Sequence, residues 1–290
     1  MSRFSRHLSL AVAFALSLLA APRLHAQASA IPSGAPPTTG PSGQTPEERG
    51  RLLIDQMVAA LGGDAWLNRT SVQYDGRTAS FFHGAPNPGI IEYHEVRRLA
   101  ASGQPEAARV GFLTERGMIM PGKKTDVYQI WTGNQGYEIT YKGETTLPKE
   151  QVEDYYRRRA HSIEEVVHTW IKAPGVMIIS EGSGMVERRI VDRVTILSAE
   201  NDAVTLELDA STHLPLRRTY EHRDPQFKDI DEEQEQYDDY HLVHGIQTPF
   251  TITRYHNGEM VEQRYITDVD YNTGLPADLF EPATVPIPKN

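Results

Sequence analysis

The apolar positions of this chain keep two different periods in turn. Leu53, Ile54, Met57, Val58 and Leu61 recur at helical spacing and form one stripe. Thr45, Pro46 and Glu48 stand in front of it as cap, first helical residue and third partner of a capping box. Gly62-Gly63 closes the segment, because glycine takes the left-handed cap without steric cost. Trp66 and Leu67 follow and are expected to pack the helix onto a sheet.

After Thr70 the period becomes two. Ser71 to Phe82, Ile90 to Val96 and Ala108 to Leu113 read as strands. Val127 to Thr132 and Tyr137 to Lys142 flank Gly133-Asn134-Gln135-Gly136 and read as a hairpin. A helical insert near 147–173 then interrupts the strands. Val152, Tyr155, Tyr156 and Arg159 share a face of its first segment. Its second segment opens on a Ser162/Glu165 capping box and carries Ile163, Val166, Val167, Trp170 and Ile171 as a stripe ending at Pro174-Gly175. Beyond it, Val204, Leu206 and Leu208 alternate with polar residues. Pro249 to Tyr255 and Glu259 to Tyr271 flank Asn257-Gly258, a type I′ hairpin signal. The pattern predicts at least nine strands and three helices: an α+β, mainly β fold, a strongly curved antiparallel sheet wrapped around helices.

The first 44 residues lie outside this pattern. Arg3 and Arg6 precede an apolar run from Leu8 to Ala21, which is short for a membrane span and suits the core of a secretory signal. Small residues around Ala26 and Ala30 offer cleavage points. Residues 27–44 are rich in Pro, Gly, Ser, Thr and Ala and read as a flexible linker. The expected organisation is therefore a signal peptide at 1–26, a linker at 27–44 and a single β domain at 45–290. The expected location is periplasmic or secreted, without stable membrane insertion after cleavage. Cysteine is absent, which excludes a lipid-anchored cysteine, disulfides and thiol nucleophiles. Net charge is −10, and loss of Arg3, Arg6 and Arg23 with the leader makes it −13. An acidic chain disfavours nucleic acid and anionic membrane as partners.

No motif declares a reaction. Gly117 to Thr125 approaches a phosphate-binding loop, but Lys124 stands where Ser or Thr is required, and Met118-Ile119-Met120 makes an apolar loop instead. His161, Glu165 and His168 have helical metal-ligand spacing, yet a cap at Ser162 takes His161 out of register. His241 and His244 fall on opposite faces of a strand. Arg157-Arg158-Arg159 reads as solvated side chains with one ion pair, and the acidic run from Asp229 to Asp239 as an exposed loop and strand start. Gly182-Ser183-Gly184 lacks the nucleophile-elbow pattern. Nothing calls for a cofactor or a metal.

The C-terminal half carries a recognisable order of short motifs: Leu206-Glu-Leu-Asp209, Ser211-Thr-His-Leu-Pro215-Leu-Arg217, Tyr237-Asp-Asp-Tyr240, Gly245-Ile-Gln-Thr-Pro249-Phe250, Asn257-Gly258, Val269-Asp-Tyr-Asn272 and Leu275-Pro-Ala-Asp-Leu279-Phe280-Glu-Pro282. Together with Gly62-Gly63-Asp-Ala-Trp66 at the start, it resembles the outer-membrane lipoprotein-sorting proteins, the LolA/LolB-like superfamily. The resemblance implies a half-open β-barrel capped by helices, whose concave apolar face holds a lipid or lipoprotein acyl chain. On that basis the expected function is a non-enzymatic periplasmic carrier of a hydrophobic, lipid-like ligand. Candidate lining residues are Met118, Met120, Trp131, Tyr155 and Trp170. The alternatives are an envelope interaction protein whose barrel is filled by its own side chains, with an envelope protein as partner, and a secreted hydrolase without a signature.

Overall fold

The structure, a computed structural model, describes residues 43–115, 123–224 and 227–288. The Leu8–Ala21 run, residues 27–42 of the linker, Met118 and Met120 lie outside them.

Helix α1 spans Pro46–Leu61 and starts as its sequence predicts. The Thr45 hydroxyl accepts from Glu48 N–H, and the Glu48 carboxylate accepts from Thr45 N–H. A short helix α2 (Asp64–Leu67) follows. Then come β1 (Ser71–Phe82), β2 (Ala85–Pro86), β3 (Ile91–Arg98), β4 (Ala107–Glu115), β5 (Lys123–Thr132), β6 (Gln135–Thr140) and β7 (Gly143–Thr146). The helical insert is α3 (Lys149–Ala160) and α4 (Ile163–His168). Strands β8 (Met177–Val186), β9 (Arg189–Leu197), β10 (Ala203–Asp209), β11 (Pro215–Arg223), β12 (Ile230–Val243), β13 (Ile246–His256) and β14 (Glu259–Tyr271) complete the chain.

The strands form one curved antiparallel sheet in the order β7-β6-β5-β4-β3-β1-β14-β13-β12-β11-β10-β9-β8, with β2 paired to β1 alone. Nearly every neighbour in space is a neighbour in sequence. Strand β1 skips the two-residue β2 to pair with β3, and on its other side pairs with β14, which joins the first half of the meander to the second, with Val72 opposite Tyr271 and Ser80 opposite Glu262. Register shifts at Asp75/Gly76, Phe112/Leu113, Ser180/Gly182, Glu207/Leu208 and Arg254/Tyr255 bend the strands, as an extra residue on one side of a ladder does. The sheet does not close, so β7 and β8 remain edges.

The main core lies on the concave face at the β8 side. Leu53, Ile54, Met57 and Leu61 of α1 and Ile163, Val166 and Val167 of α4 pack on Val194, Ile196, Val204, Leu206 and Leu208. Helix α1 approaches β8 at Gly50, where an added Cβ would stand 2.6 Å from the Ile178 carbonyl oxygen. A second core sits around Val96, Ile130 and Ile139, against Phe280 and Val285 of the C-terminal segment. Strand β3 alternates strictly, so Val96 joins this second core while Glu95 and Arg97 face the concave side.

The fold class matches the sequence expectation, with corrections in detail. The segment Asp229–Asp239, expected as an exposed loop and strand start, enters β12 already at Ile230, and its Glu233 is buried. Helix α4 stops at His168, and Trp170 to Lys172 form a 3-10 turn where a longer helix was expected.

Candidate functional site

The concave face holds a cavity of about 290 Å³ between the sheet and the α3–α4 pair. Its floor continues the main core through Leu61, Trp66, Val72, Leu99 and Ile163. Val110, Phe112 and Trp131 of β4 and β5 form an apolar wall, and Tyr155, Arg158 and Arg159 of α3 form the lid.

A row of alternating charges crosses the same face; Glu235, Arg254, Glu262, Arg264 and Glu95 line the cavity, and Arg218 adjoins it. Arg218 on β11 donates toward Glu235 on β12 at 3.0 Å. Arg254 on β13 stands opposite Glu235 in the strand register and donates to Glu262 on β14 at 2.8 Å. Arg264, two residues along β14, donates to Glu95 on β3, which also accepts from Arg97. The period of two places each of these side chains on the inner face of its strand. Cross-strand register then sets opposite charges side by side. Glu95 is 2% exposed and Arg218 is 2% exposed. Burial alone would push the Glu95 carboxyl up, but Arg264 and Arg97 overcome it and hold the group at about 2. Burial opposes the charge on Glu235 in the same way, and Arg218 and Arg254 bring it to about 2. Glu164, at the start of α4, is held at about 2 against burial by Arg69 and Arg159. Arg69 donates to Glu164 at 2.8 Å and lies over the Trp66 ring.

Tyrosines edge the row. Tyr93, Tyr74, Tyr237, Tyr240 and Tyr271 all line the cavity, and burial raises the phenol of each. These groups stay neutral and present hydroxyls rather than charges to the interior. Tyr237 donates to Glu235, and Tyr271 is joined to Thr248 at 2.7 Å.

Helix α3 is tied to the sheet at both ends; Arg218 donates to the Arg158 and His161 carbonyls at 3.3 and 2.6 Å. Tyr155 stacks on Trp131 with ring centroids 4.0 Å apart and planes 9° from parallel. Arg159 donates to Glu106 at 2.5 Å, and Tyr156 donates to the Gln135 carbonyl at 3.1 Å. No residue of α3 is fully buried. At its C-terminus His161 stacks on Tyr220 at 4.1 Å, with its ring nitrogens 2.7 Å from the Arg157 carbonyl oxygen and 2.9 Å from Asp202.

Of the candidate residues, Trp131 and Tyr155 stand together on the cavity wall. Trp170 is not among the lining side chains; it packs edge-on to His161 and against the main core. Met118 and Met120 lie outside the described residues. His161 and His168 part company, the first on Tyr220 and the second on Trp66, so the His161/Glu165/His168 trio does not converge. The arginine triplet is not simply solvated: Arg158 and Arg159 line the cavity. The charged row itself escaped sequence reading. Glu233-Gln-Glu235-Gln-Tyr237 and Glu262-Gln-Arg264-Tyr-Ile266 alternate in the way a solvent-facing strand does, and only the curvature of the sheet turns them inward.

No protein-family model matches the sequence, and no curated protein is significantly similar to it. Solved structures do match in three dimensions. A protein of the DUF1329 family from Desulfovibrio piger superposes with a TM-score of 0.55 at 10% identity, over 83% of this chain and 99% of that one. A domain from Vibrio parahaemolyticus described as an outer membrane lipoprotein-sorting protein superposes with a TM-score of 0.51 at 9% identity, over 81% and 97%. The chain shares the fold of these two solved proteins. A LolA superfamily protein from Nitrosomonas europaea is also similar, at 11% identity over 81% and 99%, with a TM-score of 0.46. Within this shared fold, the cavity lies on the concave face, under the helical insert. Among the described residues, no helix is long and apolar enough to cross a membrane.

Proposed function

We propose that this chain is an exported, non-enzymatic binding protein that carries one amphipathic, lipid-like molecule in the hollow beneath α3. The hollow itself carries this reading: about 290 Å³ between the sheet and α3, with an apolar floor and a polar belt. That volume stands at the lower end of small-molecule sites, which run from about 300 to 1,000 Å³. It suits one chain or one small amphiphile and is small for a bundle of acyl chains. Burial of a chain on the floor contributes about 0.8 kcal/mol per CH₂. The apolar hollow implied by the sequence resemblance is thereby refined: the walls beside Leu61, Trp66 and Val110 are apolar, but the centre is lined by arginines, glutamates and tyrosines. Superposition on a domain described as lipoprotein-sorting supports a carrier in kind. The leader at 1–26 supports a periplasmic or secreted site of action, with 45–290 as the binding domain.

Uptake of a fluorescent fatty acid by the purified protein tests this reading. We expect saturable binding at one site per chain, lost in Val110→Trp, which fills the apolar wall. Equal uptake by wild type and by that variant would refute a ligand in the hollow and favour a self-filled sheet that acts as an envelope interaction protein.

A further inference from the structure

The lining of the hollow is unbalanced in charge. Six arginines face four glutamates across it, in a chain whose overall charge is −10. The cationic interior therefore runs against the composition of the protein. On the sheet each arginine has a carboxylate beside it, and the alternation is intact from Arg218 to Glu95. The lid breaks it. Helix α3 brings Arg158 to the same cavity as Arg254, cation toward cation. The carboxylate paired with Arg158 is Asp154, which is about a third exposed and also holds Arg157 at 3.1 Å. Arg254 already gives its nearest contact to Glu262. Around this point Arg157, Arg158, Arg218 and Arg254 share Asp154, Glu235 and Glu262, four cations to three anions.

We infer that the ligand of the hollow is an anionic amphiphile, whose carboxylate or phosphate is received between Arg158 of the lid and Arg254 of the sheet while its chain lies along the Leu61–Trp66–Ile163 floor. The inference rests on the carrier reading above and adds the head group to it. Two guanidiniums from opposite walls present forked N–H donors that match an oxyanion, with the lid arginine completing the site only when α3 is closed. Burial, and then Arg254, depress Arg158 to about 10, the cost that a bound anion would remove. The ligand would thus act as the missing partner that draws lid and sheet together.

Tryptophan fluorescence reads the site directly, because Trp66 and Trp131 both line it. The probes are a saturated fatty acid, an alkyl phosphate, an alcohol and an alkylammonium of the same chain length, and inorganic phosphate alone. We expect the acid or the alkyl phosphate to bind at least about tenfold more tightly than the alcohol, as charge-assisted hydrogen bonds provide. The alkylammonium should be the weakest. Arg158→Gln should remove the preference, and Arg158→Lys should restore part of it. Arg254→Gln, confirmed as folded by circular dichroism, should act in the same direction. Equal affinity for acid and alcohol, or an unchanged preference in Arg158→Gln, would overturn the head-group assignment and leave the carrier reading standing. Failure of every chain-bearing probe would overturn both. Phosphate alone binding as tightly as the alkyl phosphate would assign the arginine site to a free anion and remove the chain.

Discussion

Replacing Glu95 by Gln removes one charge from the centre of the row and leaves Arg97 and Arg264 facing a neutral amide. Glu95 is 2% exposed and accepts from both arginines. Breaking a buried pair by removing one partner costs about 3–5 kcal/mol, because the surviving charge keeps its desolvation penalty and loses its counter-charge. For a domain of this size each kcal/mol moves the melting temperature by about 2–4 °C, so a fall on the order of 10 °C is expected. Urea unfolding followed by circular dichroism measures the change, and an unaltered m value would show that the unfolded state is not responsible. The triple replacement Glu95→Leu, Arg97→Met and Arg264→Met removes the charges together. It should recover most of the loss, since apolar residues of similar volume substitute for a buried ion pair at little cost. A loss below about 1 kcal/mol in Glu95→Gln is the value of an exposed pair and would refute the picture of a desolvated charge row.

Acid should unfold the protein over a definable window. Glu95, Glu164 and Glu235 are each depressed from 4.5 to about 2. Their contribution is complete above about pH 4.5 and is lost as pH falls toward 2, at roughly 3 kcal/mol each; a midpoint near neutrality in a pH titration of ellipticity would contradict this. Gly50→Ala should destabilise by about 1–3 kcal/mol in thermal melts, although alanine favours helices, because its Cβ would meet the Ile178 carbonyl oxygen at 2.6 Å. An unchanged melt would show that α1 can draw back from β8. Tyr155→Ala should leave the melting temperature nearly unchanged and speed amide exchange in α3 by about twofold to tenfold, the equivalent of an aromatic pair worth about 0.5–1.5 kcal/mol. Faster exchange throughout the sheet would mean that the lid is part of the cooperative core.

The elements legible in the sequence were those whose periodicity and punctuation agreed. Thr45, Pro46, Glu48 and Gly62-Gly63 bracket α1 and are used for that purpose. Ser71 to Phe82 is β1, and Asn257-Gly258 is the turn between β13 and β14. Strand β8 was not legible: Ser180-Glu-Gly-Ser-Gly184 looks like a loop, and it is held extended by pairing with β9 through a bulge at Gly182. Of the site, Trp131 and Tyr155 could be named as large aromatics on one strand and one helix, but their stacking joins residues 24 apart. Glu95, Arg254, Glu262 and Arg264 could not be named. A polar residue on an alternating strand looks the same whether its face meets water or the inside of a curved sheet, and the curvature comes from bulges that single residues do not announce.

Native mass spectrometry shows whether the hollow carries a ligand. The protein would be exported into a bacterial periplasm, purified without detergent and sprayed from volatile buffer. We expect one discrete added mass per chain, recovered by organic extraction as an anionic amphiphile with a single chain, and reduced in Arg158→Gln. A bare mass from the isolated protein, persisting after incubation with fatty acid and alkyl phosphate, would contradict it.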